Sequence, residues 1–186
     1  MCTVRVASVD DLDRCLEVVG GLPDYFTPDV PEKIRSDFGR CRSWVVVDDG
    51  TVAGFAVVDK RSPQVAEILW AAVDSDRRGS GLGTSLVEDV LETLWAEGVR
   101  LVEAKTLDRS AGYEPYEATI AFWEGRGFLK VDVIDPLPGW EPGNSCAIYV
   151  APCPHSRVPV YRTVLTRQLA HRYALLLALG RHRRVP

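Results

Sequence analysis

Residues 66–97 read AEILWAAVDSDRRGSGLGTSLVEDVLETLWAE. The short apolar run from Ile68 to Val73 predicts a buried strand. A turn with two arginines and three glycines follows at residues 77–83, and apolar residues then recur at helical spacing from Leu82 to Leu94. A strand, a glycine turn and a helix in succession aim free backbone N–H groups at an anion, because the first helical turn has unpaired donors and a partial positive charge.

The turn departs from the common nucleotide-binding motifs. A P-loop ends in Gly-Lys-Ser or Gly-Lys-Thr, and no lysine lies in or near this turn. The dinucleotide motif has the spacing G-x-G-x-x-G, whereas residues 79–83 have G-x-G-x-G. The turn therefore binds a different anion, or it is an ordinary glycine-rich loop.

The composition indicates one globular domain. The chain has 186 residues, of which 46% are apolar and 26% charged. The N-terminus has no basic-then-apolar signal, and the five scattered cysteines form no CxxC pair, so we expect a cytoplasmic protein. We expect no metal site, since all three histidines lie at or beyond His155, and no membrane span, since the apolar run at residues 174–179 is too short.

The charge is divided between two parts of the chain. Residues 152–186 hold seven arginines and no acid, whereas residues 1–151 hold 15 basic and 26 acidic residues, a net charge of −11. An acidic body favours a cationic partner and argues against nucleic acid, although the acids could also serve only solubility. We predict a body at 1–151 and a basic helical extension at 152–186, which could pack on the body, bridge a homodimer or touch an anionic surface.

The remaining pattern predicts a sheet around the central unit. Asp49-Gly50 between two β-rich runs predicts a hairpin. The predicted order is β-α-α-β-β-β-α-β-α-β-β. Its strands are expected at 3–7, 43–47, 52–59, 65–73, 99–107, 128–134 and 147–150, and its helices near 12–19, 31–38, 81–97 and 117–126.

Two motifs in this order resemble the GNAT superfamily of N-acetyltransferases. Residues 78–83, RGSGLG, match [RQ]-x-x-G-x-[GA], the acyl-CoA pyrophosphate loop of that superfamily. Residues 118–128, ATIAFWEGRGF, resemble its A-I-x-F-Y-E-x-x-G-F segment. The resemblance covers residues 3–151 and implies an α/β (α+β) GNAT fold, in which a mixed, mostly antiparallel and V-splayed sheet of six to seven strands is flanked by helices.

The resemblance also implies acetyl-CoA as co-substrate and no metal. Backbone N–H groups of the turn would bind the pyrophosphate, and the strand before it would pair with the pantetheine arm and polarise the thioester carbonyl. The reaction implied is direct attack by a primary amine, on a small molecule or a protein, within a ternary complex. The expected cofactor-binding residues are Trp70, Ala71, Ala72, Val73, Arg78, Gly79, Ser80, Gly81, Leu82, Gly83, Thr84 and Trp123.

The catalytic groups are less clearly marked by the sequence. Ala66-Glu67-Ile68 resembles the A-E-I of the histone-acetylating branch, whose glutamate deprotonates the amine, usually through water; the alternative is a solvated strand glutamate. The family usually has a tyrosine as general acid where this chain has Trp123, and an indole is not a usable acid. Tyr113 and Tyr116 are the candidate substitutes, unless they only pack and water protonates the thiolate.

Three functions remain open from the sequence. An N-acetyltransferase leads, and the departure at Trp123 keeps a non-catalytic acyl-CoA sensor as an alternative. An antibiotic-resistance acetyltransferase is a third, which an acidic body permits. Cys146 lies nearest a plausible site, but without a histidine in the body to activate it we do not expect a cysteine nucleophile. Tyr25 and Phe26, together with Trp140 and Glu141, are expected to border the acceptor pocket.

Overall fold

The structure is a computed structural model that describes residues 2–154. The predicted extension at 152–186 therefore lies almost wholly outside the described residues. The strands are β1 Thr3–Val6, β2 Arg42–Asp48, β3 Thr51–Ser62, β4 Val65–Val73, β5 Leu101–Leu107, β6 Leu129–Ile134 and β7 Cys146–Pro152. The helices are α1 Leu12–Gly20, α2 Val30–Arg40, α3 Leu82–Ala96 and α4 Tyr116–Glu124. Their order confirms the predicted one.

The strands form one mixed sheet in the order β1-β2-β3-β4-β5-β7-β6. Only the β4–β5 pair is parallel among the described strands, and the α3 crossover joins these two. The predicted hairpin connects β2 and β3, and its turn has positive φ at both Asp49 (49°) and Gly50 (77°). The mixed, mostly antiparallel sheet agrees with the predicted fold class.

The sheet splays between β4 and β5. The two strands pair only from Val65 to Ile68 against Leu101 to Ala104. Beyond that point β4 stays paired with β3 as far as Val73, whereas β5 stays paired with β7 as far as Leu107. The upper parts of β4 and β5 therefore separate and leave a gap at the end of the sheet from which the glycine turn leaves.

The helices cover the sheet on two faces. α3 and α4 bury their apolar stripes with residues such as Trp44, Phe128 and Tyr149, while α1 and α2 pack over Phe55 on the opposite face. Every residue of the predicted α3 stripe is buried, namely Leu82, Leu86, Val90, Leu91 and Leu94. α3 begins one residue later than predicted because Gly81, with φ at 87°, is its left-handed N-cap.

Candidate functional site

The turn between β4 and α3 presents a row of free backbone donors. The first hydrogen bond into α3 runs from the Ser85 N–H to the Gly81 carbonyl at 3.0 Å. The N–H groups of residues 79–84 donate to no acceptor within residues 2–154. Gly79 and Gly81 hold positive φ angles of 76° and 87°, which turn consecutive N–H groups toward the same side. Such a row at the positive end of a helix dipole is an anion-binding site.

Gly83 has a different role in the same turn. A Cβ atom there would lie 3.1 Å from the Phe122 ring, closer than ordinary van der Waals contact. The missing side chain therefore lets α4 pack directly against the first turn of α3. This contact joins the two sequence motifs in space.

The edge of β4 that faces the gap supplies a second set of backbone groups. The Asp74 N–H donates to the Ala53 carbonyl of β3 at 2.8 Å, and the Ala72 carbonyl lies close to Gly54 on the same side. Because backbone direction alternates along a strand, the N–H and C=O groups of Ala71 and Val73 face the gap. Of the four predicted strand contacts, Ala71 and Val73 have this placement, and Trp70 and Ala72 point their backbone groups toward β3.

The Trp70 side chain also lies away from the gap. Its indole N–H donates to the Asp37 carboxylate on α2 at 2.6 Å, and its ring lies 6.5 Å from that of Phe26. Trp70 therefore anchors α2 and the loop before it to β4.

The two adjacent arginines of the turn have different surroundings. Arg77 donates to the Asp48 carboxylate at 2.8 Å and so ties the turn to the β2–β3 hairpin. Arg78 forms no ion pair with the described residues, and its guanidinium lies 4.4 Å from the centre of the Tyr25 ring. Only Arg78 of the two is free to add charge to the anion site.

Glu67 is buried, with 6% of its surface exposed, which rules out the solvated strand glutamate that the sequence left open. Lys105 Nζ lies 2.8 Å from one of its carboxylate oxygens. The Arg61 guanidinium binds the other oxygen, with its Nε at 2.9 Å. Glu67 can therefore accept a proton only by giving up part of a two-cation contact, and its predicted role as general base stays a prediction.

Tyr116 uses its hydroxyl group to join two loops. The hydroxyl donates to the Tyr25 carbonyl at 2.9 Å, and the Tyr25 hydroxyl donates to the Pro115 carbonyl at 3.0 Å. Burial raises the pKa of Tyr116 to about 12, so the group is a weak acid at neutral pH. Tyr113 lies beside it, with ring centres 6.0 Å apart, and is 42% exposed. Of the two candidate acids, Tyr113 has the hydroxyl that is not committed to a described partner.

Trp123 lies in the core instead of the gap. It is 6% exposed, and its ring packs edge-on against Phe122 at 5.2 Å and Phe128 at 4.9 Å. This placement argues against the predicted cofactor contact through its side chain. Cys146 is also buried, and burial raises the pKa of its thiol to about 11, which disfavours a thiolate nucleophile.

No group of three or more His, Cys, Asp or Glu side chains within residues 2–154 could hold a metal ion. Nor does any helix in this range have the length and apolar character that crossing a membrane requires.

Comparison with known sequences identifies a family. A sequence model of the acetyltransferase (GNAT) family matches residues 9–128, a range that includes both motifs. A mycothiol acetyltransferase of Acidothermus cellulolyticus is 32% identical over 101 residues. The matched stretch is 51% of this chain but only 28% of that relative, so the chain spans less than a third of the relative's length.

Solved structures of the same fold cover most of the chain. The ribosomal-protein-S18-alanine N-acetyltransferase of Escherichia coli superimposes with a TM-score of 0.70 at 22% identity, over 87% of this chain and 99% of that one. A GNAT family acetyltransferase of Elizabethkingia anophelis with acetyl-CoA bound gives a TM-score of 0.61 at 17% identity, over 82% of this chain and 98% of that one. At these identities the likeness shows the fold alone.

Proposed function

Because the chain belongs to the acetyltransferase (GNAT) family, we propose that it transfers an acetyl group from acetyl-CoA to a primary amine. The observation that supports this most directly is the row of free N–H groups at residues 79–84, beside the gap between β4 and β5. A diphosphate offers several anionic oxygens to such a row, and the gap offers a channel for an extended arm. The acetyl-CoA-bound structure of the same fold supports the same donor.

The chain supplies backbone groups at each point where the donor must be held. The N–H groups of residues 79–84 would bind the diphosphate, with Arg78 adding a full positive charge. The gap-facing groups of Ala71 and Val73 would pair with the amides of the pantetheine arm. A backbone N–H at this edge would also polarise the carbonyl of the thioester, which is the activated acyl group that acetyl-CoA supplies.

For the acceptor we propose a cationic amine that attacks the thioester directly while both substrates are bound. The net charge of −11 on residues 1–151 would raise the local concentration of such an acceptor. One solved structure is named for the alanine of ribosomal protein S18 and the curated relative for mycothiol, so the two names give different acceptors. Both classes therefore belong in the test.

Glu67 supports this reaction best as a positioning residue. It lies near the end of the paired segment, one residue before β4 and β5 separate, and opposite Glu103 in the register. Its contacts to Arg61 on β3 and Lys105 on β5 join three strands at the apex of the gap. Glu67 would thus fix the width of the gap, and the base assignment taken from the resemblance needs its own test.

A non-catalytic acyl-CoA sensor is the second candidate. The observation that favours it is the engagement of Glu67 and Tyr116, which leaves Tyr113 as the one predicted catalytic side chain without a hydrogen-bond partner among the described residues. A sensor would share the donor site and lack turnover.

One experiment separates the two candidates. Acetyl-CoA binding is measured by calorimetry, and release of free CoA is then followed with a panel containing polyamines, aminoglycosides, streptothricin and a peptide with an N-terminal alanine. We expect binding and turnover of at least one cationic amine. Tight binding without turnover on any amine would favour the sensor, and absence of binding would remove both candidates.

A further inference from the structure

Arg126 has a positive charge that no carboxylate of the described residues balances. Most arginines within residues 2–154 form ion pairs, namely Arg5, Arg14, Arg35, Arg40, Arg42, Arg61, Arg77 and Arg109. Arg78, Arg100 and Arg126 form none with residues of that range. Arg78 precedes α3, and the Arg126 guanidinium contacts Thr84 in the first turn of that helix. Two of these three arginines therefore lie beside the row of free N–H groups.

The Arg126 side chain is held in a fixed position. One terminal nitrogen donates to the Phe122 carbonyl at 2.9 Å, the other contacts the Thr84 hydroxyl, and the guanidinium lies 4.1 Å from the centre of the Phe122 ring. A guanidinium has five N–H donors, so donors remain after these two contacts. The Nε–H has no acceptor within the described residues, but it is buried. The donors left for a ligand are therefore the second N–H of each terminal nitrogen. A fixed fork with spare donors suits an anion of planar or tetrahedral geometry.

Arg126 borders a cavity of about 330 Å³ that extends along α3. Its lining residues are Thr84, Glu88, Leu91, Glu92, Trp95, Gly125 and Arg126. Thr84 belongs both to this cavity and to the row of free N–H groups, so the cavity begins where the anion site ends. Ligand pockets span roughly 300–1,000 Å³, so this cavity suits one end of a ligand better than a whole one.

The charge along the cavity changes from one end to the other. Arg126 and the positive end of the α3 dipole lie at the Thr84 end. Glu88 and Glu92 line the cavity further along α3 and form no ion pair with the described residues. An anionic group is therefore favoured only at the Thr84 end, whereas the remaining part offers carboxylate acceptors beside the apolar Leu91.

We propose that Arg126 binds the ribose 3′-phosphate of coenzyme A, with the adenosine in the cavity along α3. This proposal rests on the proposed use of acetyl-CoA. Coenzyme A carries one phosphate besides its diphosphate, on the ribose next to it, so a cation adjoining the diphosphate site is placed to bind it. The exocyclic amino group of adenine is a donor that Glu88 or Glu92 can accept. Arg126 thereby makes the chain discriminate coenzyme A from its 3′-dephospho form.

The test compares two ligands by calorimetry at one fixed salt concentration. We expect the wild-type protein to bind coenzyme A about tenfold or more tightly than 3′-dephospho-coenzyme A, since a charge-assisted contact is lost. Arg126→Gln should bind both ligands equally, at the wild-type affinity for the dephospho form. Arg126→Lys keeps the charge without the fork, so we expect a preference smaller than that of the wild type.

Arg100→Gln is the matched control. It also removes an arginine that has no carboxylate partner in the described residues, but beyond the opposite end of α3, so the wild-type preference should persist. Equal wild-type affinities for the two ligands, or an undiminished preference in Arg126→Gln, would overturn the proposal. Loss of the preference in Arg100→Gln would also overturn it, because net charge alone would then explain the effect. A wild-type protein that binds neither ligand would instead refute the use of acetyl-CoA.

Discussion

The glycine turn and the apex of the sheet differ in how their polar groups are satisfied. Residues 79–84 leave consecutive backbone N–H groups without an acceptor in the described chain. At the apex, both oxygens of Glu67 bind cations. Elsewhere, the Tyr116 hydroxyl donates to the Tyr25 carbonyl. Open donors suit the binding of a ligand, whereas engaged side chains suit the maintenance of a shape. The proposed donor site is therefore preformed, and the contacts of Glu67 and Tyr116 favour a framework role for these two side chains.

The largest effect on acetyl-CoA binding should come from a substitution in the glycine turn. Gly79→Val places a β-branched residue at a φ of 76°, so the turn must rearrange and its N–H groups must lose their common direction. We expect affinity for acetyl-CoA, measured by calorimetry, to fall by about 100-fold or more, roughly 2.7 kcal/mol.

Gly50→Val is the control for that loss. Gly50 has a φ of 77° in the β2–β3 hairpin, and a Cβ atom there would meet nothing within 4 Å, as at Gly79. Both variants should lose about 1–2 kcal/mol of unfolding free energy, because left-handed backbone costs that much for an L-residue. If Gly50→Val weakened acetyl-CoA binding as much as Gly79→Val, the turn would have no special role.

The next largest effect should come from Glu67 at the apex of the sheet, and it should be a loss of stability. Glu67→Gln leaves Arg61 and Lys105 facing a neutral amide, so we expect the free energy of unfolding to fall by about 1–3 kcal/mol. Chemical denaturation measures this loss. We expect kcat to fall less than tenfold, with the shape of its pH profile unchanged.

Glu103→Gln serves as the control for Glu67. Within residues 2–154, Glu103 forms an ion pair with Lys105 alone, and it is more exposed than Glu67, so the loss of stability should be smaller. A general base contributes about 10²–10⁴-fold to the rate. A loss of that size in Glu67→Gln, with unchanged stability, would contradict the positioning role and establish Glu67 as the base.

The smallest effect should come from Tyr116→Phe. The variant loses the hydrogen bond to Tyr25 and should be destabilised by about 1 kcal/mol at neutral pH. Because the folded pKa is raised to about 12, the stability that Tyr116 contributes is complete below its ordinary value near 10 and is lost as pH rises toward 12.

Denaturation curves at several pH values check this prediction. The wild type should lose more stability above pH 10 than Tyr116→Phe does. A kcat for Tyr116→Phe that falls a hundredfold without loss of stability would show that Tyr116 donates a proton in the reaction, against this account.

The sequence predicted the glycine turn because the groups that matter there are backbone N–H groups, whose direction depends on local residue types. Only glycine readily adopts the positive φ angles of residues 79 and 81, so the required geometry is visible in residue types at fixed spacing. The buried stripe of α3 was likewise visible, since helical periodicity depends on neighbours within the same segment.

The contacts of Glu67 and Tyr116 could not be predicted in the same way. Lys105 is 38 residues from Glu67, and Tyr25 is 91 residues from Tyr116, so these partners meet only in the folded chain. The sequence also could not distinguish the two adjacent arginines. Arg77 binds Asp48 in the β2–β3 hairpin, whereas the Arg78 guanidinium lies over the Tyr25 ring. Arg126 falls on an unspecified position of the second motif, and no local pattern marked it as a cation without a partner.

The central claim is that the backbone amides of residues 79–84 hold the diphosphate of acetyl-CoA, and a titration followed by amide NMR tests it most directly. The account predicts saturable shifts of the 79–84 amide resonances, while the amide of Gly98, just beyond the opposite end of α3, stays unchanged. A titration that leaves the amides of residues 79–84 unmoved, whether or not acetyl-CoA binds elsewhere, would contradict it.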